Sequence, residues 1–234
     1  MNALSDRALV FALADATELV DPELCSELRQ AGATTLQVNV CDVAVRAGFR
    51  LATLEPPVDA VVTMTGEVDV ERAREVLAAR SRVHGAWWTE VEVPLEPAET
   101  PQGQRLEALA QVALLRRPGA MDEEQWLHVW KAEHTPVALE TQASTGYVQH
   151  RVLEPALPGS PEIAAVVEEH FPVEAVSDPH AFYGSGGDQD ELDRRMTTMV
   201  ASVQRFGADK DLDVVPTSRY RWVFPSPDEL TSRP

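Results

Sequence analysis

Apolar residues recur along this chain at two spacings, in short alternating runs and in longer runs with three- and four-residue steps. Alternating runs near 7–14, 34–42, 58–65 and 83–93 predict strands, and helical spacing near 22–31 and 69–80 predicts the helices between them. The order repeats further on, with strands near 108–117, 145–154, 162–171 and 214–224 and helices near 122–134 and 188–206. Each set spells β-α-β-β-α-β, the split unit of a ferredoxin-like fold. In the last helix Leu192, Met196, Met199, Val200, Val203 and Phe206 form an apolar stripe, and Asp188, Asp190 and Glu191 crowd the first turn, where negative charge suits the helix dipole. Val70, Ala73, Val76 and Leu77 play the same part in the first set. Between the sets, residues 94–103 hold three prolines and a glycine and predict an exposed linker. The expected division is a degenerate ferredoxin-like half at 1–93, a linker at 94–105, a second half at 106–226 and a tail at 227–234.

The second half carries the densest chemistry. Asp122 and Gln125 fit a capping box at the start of a helix. From there Trp126, Leu127, Trp130 and His134 fall within an arc of roughly 100°, with His128 on the opposite side. Pro136 lacks an amide hydrogen and disfavours helix at Thr135, so the helix is expected to stop near His134. An imidazole at a helix C-terminus has its cation favoured. His134 is thus a candidate general acid or anchor for a polar substrate group, or else a structural residue bonded to the last carbonyls of the helix.

The Trp130-x-x-x-His134-x-Pro136 spacing, with an aromatic at Trp126 and a strand on either side, resembles the EthD-like group of dimeric α+β barrel proteins. The resemblance covers about 109–224, and no such signature occurs in the first half. It implies an α+β fold in which the tandem ferredoxin-like halves pack sheet to sheet into one barrel within one chain, with a cavity between the sheets and an active site weighted to the second half. The activity it implies is cofactor-independent acid/base chemistry, such as dehydration, cyclisation or isomerisation, on a small aromatic or polyketide-like molecule. The wider superfamily includes monooxygenases and haem-degrading enzymes, so an oxidoreductase is one alternative. A non-catalytic small-molecule-binding accessory protein of a catabolic pathway is another.

Strand alternation nominates residues for that cavity. Near 162–171, Ile163, Ala165, Val167 and Phe171 suit a helix-covered face, which turns Glu168 and His170 to the other side as an acid/base pair; Glu169 interrupts the apolar set. By the same rule Tyr147, Gln149 and Arg151, opposite Val148, His150 and Val152, are expected to face the cavity as ligand-binding residues. Tyr220 and Trp222 supply aromatic wall from the last strand, and Trp130 joins them from the helix. A register slip of one residue would reverse each assignment and bring His150 inward.

Composition narrows the partners. The chain has 234 residues with 38 Asp and Glu against 20 Lys and Arg, a formal charge of -18, which argues against nucleic acid and anionic membrane surfaces. A small hydrophobic or aromatic molecule is the expected ligand, and a second copy of the chain is a candidate partner. The apolar run after Met1 is too short to span a bilayer and lacks the basic start of a signal peptide, so a cytoplasmic location is expected. Two cysteines, Cys25 and Cys41, without a Cys-x-x-Cys pair suggest neither a disulfide framework nor a thiolate metal site. Glu124 and His128 lack a third ligand, the glycines at 184–187 lack a P-loop lysine, and no dinucleotide fingerprint follows a strand, so no metal and no cofactor is expected.

Overall fold

The computed structural model describes residues 7–224; the expected tail at 227–234 lies outside them. The first half runs β1 (Arg7–Ala14), α1 (Pro22–Gln30), β2 (Ala33–Val40), β3 (Ala60–Gly66), α2 (Val70–Ala78) and β4 (Arg82–Leu95). The second runs β5 (Leu109–Leu115), α3 (Glu123–Leu127), a π-helix (His128–His134), α4 (Thr135–Thr141), β6 (Gly146–Pro155) and β7 (Ala165–Phe171). A 3-10 turn (Val173–Val176), α5 (Pro179–Tyr183), α6 (Gln189–Gln204) and β8 (Asp213–Val223) complete it. Aspartates open the main helices: Asp21, Asp69, Asp122 and Asp188 each accept a hydrogen bond from a first-turn amide.

The strands close into one barrel in the order β1-β3-β2-β8-β5-β7-β6-β4. Each half contributes four neighbouring strands in ferredoxin-like order, and the halves join where β2 pairs with β8 and β4 with β6. The expected fold class therefore holds: two ferredoxin-like halves form an α+β barrel inside one chain. β4 continues through Pro94 to Leu95, past the expected start of the linker, because the ladder is irregular between Glu92 and Leu95, where a residue without an amide hydrogen does not break a hydrogen bond.

Of the four buried apolar clusters among the described residues, three position the site. Leu9, Phe11, Leu13, Leu36, Val62 and Met64 lie under α1 and α2. Trp126, Trp130, Tyr147, Val167 and Phe206 pack between the second sheet and its helices. Val10, Ala12, Val61, Trp87, Val112, Leu114, Val166 and Val215 fill the barrel interior. The halves also exchange arms. The segment 41–59 crosses onto the second half, where Leu51 and Val214 exchange backbone hydrogen bonds of 3.0 and 2.9 Å. The Asp213 carboxylate pins the arm by accepting from the amides of Thr53 and Leu54 at 2.7 and 2.9 Å, and it pairs with Arg116 at 2.9 Å. On the opposite side Trp87 Nε1 donates to Pro161 O at 3.1 Å.

The helix beginning at Glu123 does not stop at His134. It widens into a π-helix and continues to Thr141, with the Thr135 amide and hydroxyl both donating to Trp130 O. The wider turn takes up the irregularity that Pro136 imposes, so the proline marks a change of helix type and no C-terminus.

Candidate functional site

Within the barrel, Glu168 and His170 face inward as expected and lie together, with Nε2 of His170 donating to Oε1 of Glu168 at 2.7 Å. Asn39 donates to the same oxygen at 2.9 Å, Gln37 to the other at 2.7 Å, and Arg219 approaches to 3.4 Å. Burial pushes the Glu168 carboxyl up, but the adjoining His170, Arg219 and Asn39 together outweigh it and hold the acid well below the usual carboxylate range. A carboxylate so fully satisfied is a structural tie between the halves. His150 also faces inward, bonded through Nδ1 to Thr89 at 3.1 Å, and burial depresses it to about 4.

The inward partner of His150 settles the facing of β6, and with it three expectations fail. Tyr147, Gln149 and Arg151 point away from the barrel interior, toward the helices. Gln149 donates to Thr135 Oγ1 at 2.8 Å and so fastens the helix to the sheet. Arg151 pairs with Glu90 and Glu123 at 3.0 and 3.4 Å beside a surface cleft of about 450 Å³. Tyr220 and Trp222 also face outward: Tyr220 reaches Asp42 at 3.4 Å, and Trp222 packs against the core under α1. The physical reason is closure. On β6 the lumen takes Val148 and Val152 together with His150, and on β8 it takes Arg219 and Arg221, which leaves Tyr147, Gln149, Tyr220 and Trp222 to the helix side.

That room is a cavity of about 460 Å³ between the second sheet and α6. It gathers Trp130, His134 and Tyr147 from the expected set, although not between the sheets, together with Gln111, Glu169 and Tyr183. Leu115, Val167, Val203, Phe206 and Val214 supply apolar wall, and exposed Phe49, Leu51 and Val200 line its rim. The arm from the first half supplies part of this boundary, with Gln111 Nε2 donating to Phe49 O at 3.2 Å.

Three buried polar atoms of the lining have no hydrogen-bond partner: Gln111 Oε1, Trp130 Nε1 and Glu169 Oε1. Unpaired buried polar atoms are costly, and these three meet at one cavity. Burial raises the Glu169 carboxyl to about 7. Burial and that neighbouring acid also push the Tyr147 phenol far above its ordinary value. His134 differs from expectation in its charge. Buried beside Phe206, at 4.7 Å between rings, and with Nδ1 bonded to Ser202 Oγ at 2.9 Å, it is depressed to about 4 and is neutral near pH 7. The helix dipole cannot favour its cation, since the helix does not end there. Sequence reasoning passed over Glu169; its one signal was an acid standing within an apolar alternation.

No protein-family model matches the chain, and no curated protein matches it in sequence. Among solved structures, an anthrone oxidase-like protein aligns with a TM-score of 0.54 at 8% identity, covering 94% of each chain. A putative monooxygenase from Fusobacterium nucleatum subsp. nucleatum aligns at 0.46 with 7% identity, covering 92% of this chain and 91% of its own. A chlorite dismutase mutant from Candidatus Nitrospira defluvii aligns at 0.45 with 9% identity, covering 93% and 92%. The first of these bears on the fold alone, and it matches the α+β barrel described above. Among the described residues no helix is long and apolar enough to cross a membrane.

Proposed function

We propose that the protein binds a small planar molecule, apolar but bearing oxygens, in the cavity between the second sheet and α6, and moves a proton on it with Glu169. The observation that carries this reading is an acid raised to about 7, with an unpartnered oxygen, on the wall of a mainly apolar cavity. An acid with that affinity exchanges protons readily near neutral pH. Gln111 Oε1, unpartnered on the same wall, would accept from a ligand hydroxyl. Neutral His134 forms wall, and the Glu168–His170 pair holds the barrel together. The Trp130, His134 and Pro136 spacing supports an EthD-like reading of the second half, with dehydration, cyclisation or isomerisation of an aromatic or polyketide-like molecule as the reaction class.

The test needs no knowledge of the natural substrate. In deuterium oxide, 2-tetralone exchanges its α-protons through an enol, and NMR follows the exchange. The wild type should accelerate it and Glu169→Gln should not, while tryptophan fluorescence reports binding by both. Binding without acceleration in the wild type would reduce the protein to a carrier. Oxygen uptake during the same reaction would favour an oxidase role, in keeping with the name of the anthrone oxidase-like neighbour.

A further inference from the structure

A second cavity, of about 320 Å³, opens at the mouth of the barrel under the strap that joins the halves. Its chemistry is unlike that of the first. β8 turns Arg219 and Arg221 to the same inward face, about 7 Å apart along the strand. Arg219 is held by its Nε, which donates to Gln37 Oε1 at 2.9 Å, while its terminal nitrogens make no hydrogen bond among the described residues. Arg221 makes no ion pair among the described residues. Burial lowers the affinity of Arg219 for its proton, the adjoining Glu168 raises it, and Arg221 lowers it again.

The charges around the cavity point to an occupant. Glu168 meets Arg219 Nε at 3.4 Å but does not line this cavity, and its oxygens also accept from Asn39, Gln37 and His170. In a chain carrying a formal charge of -18, Arg221 stands without a carboxylate partner among the described residues, and Arg219 meets Glu168 only through Nε, which leaves its terminal nitrogens without a partner there.

We propose that the barrel mouth is a second ligand site, for a small oxyanion, a carboxylate or phosphate group held between Arg219 and Arg221. The planar guanidinium forks suit either group. The strap residues 96–102 form the cover, with Glu96 and Glu99 setting a limit on the charge the site accepts. The site is independent of the proton-transfer reading, because its residues belong to the opposite face of the sheet.

The experiment is a calorimetric titration of the full chain with sodium phosphate and, separately, sodium acetate, at constant pH and ionic strength. Saturable binding of at least one anion is expected, and the one that binds identifies the group. Arg221→Gln, at an exposed position, should weaken binding about tenfold, the worth of one charge-assisted hydrogen bond. Glu169→Gln should bind as the wild type does. Saturable binding of neither anion, or equal binding by Arg221→Gln, overturns the proposal.

Discussion

The two halves share a backbone plan and differ in what they place between sheet and helices. In the first, Leu9 pairs with Met64 and Met64 with Leu36, an unbroken apolar row across β1, β3 and β2. At the matching register of the second stand Gln111, Glu169 and Tyr147, across β5, β7 and β6. One row along, Phe11 and Val62 correspond to Ala113 and Val167. Losing a phenyl ring opens space, and exchanging a leucine and a methionine for an amide and a carboxyl makes that space polar on one side. The first half is a filled core, and the second is the same core hollowed and furnished.

Exchanging the furniture should show which half carries stability and which carries function. Phe11→Ala should cost about 3–5 kcal/mol, as truncation in a closed core does, measured by urea denaturation. The reverse change, Ala113→Phe, should alter stability by roughly 1 kcal/mol and abolish binding of 2-tetralone, because the ring enters space that is already open. If the second substitution destabilises as much as the first, the cavity is not available and the contrast collapses.

Glu169→Gln should slow the exchange reaction about a hundredfold while binding persists. In the wild type, rate should change through pH 7, and that inflection should vanish in the variant. The same residue makes a stability prediction. Its folded value of about 7 lies above its ordinary 4.5, so its contribution is complete below 4.5 and is lost as pH rises through 7. The melting temperature of Glu169→Gln relative to wild type should therefore climb between those limits, by the equivalent of about 3 kcal/mol. A flat difference would mean that the acid is not desolvated.

His134 has the opposite sign. Its folded value of about 4 lies below 6.5, so its contribution is present above 6.5 and disappears as pH falls to 4. His134→Ala should lower stability by about 1–2 kcal/mol at pH 7, through the Ser202 hydroxyl left unpaired, and should flatten the acid side of the profile. Exchange should fall less than tenfold. A hundredfold loss with unchanged stability would return the histidine to the chemistry.

The alternation that defined strands and helices was legible because it is local. Which face of each strand met water, lumen or helix was not, since that depends on closure between segments far apart in the chain. Glu168 and His170 were placed on the correct side because Ala165, Val167 and Phe171 opposite them are helix-covered. On β6 the cue reversed: Val148 and Val152 looked like a helix-facing stripe, yet they face the lumen, where apolar side chains and a buried polar network fill the barrel. Pro136 misled for a related reason, because a wider helical turn absorbs a proline that an ideal α-helix rejects.

The strap between Leu95 and Leu109 closes the polypeptide across what would otherwise be the seam of a dimer. Held on one chain, the halves meet at an effective concentration in the millimolar range, whatever the protein's abundance. A symmetric pair must duplicate each compromise, so a hollow in one copy is a hollow in both. Covalent joining removes that obligation. One half can spend its interior on rigidity and brace the barrel, leaving the other free to keep an acid dry and unpaired.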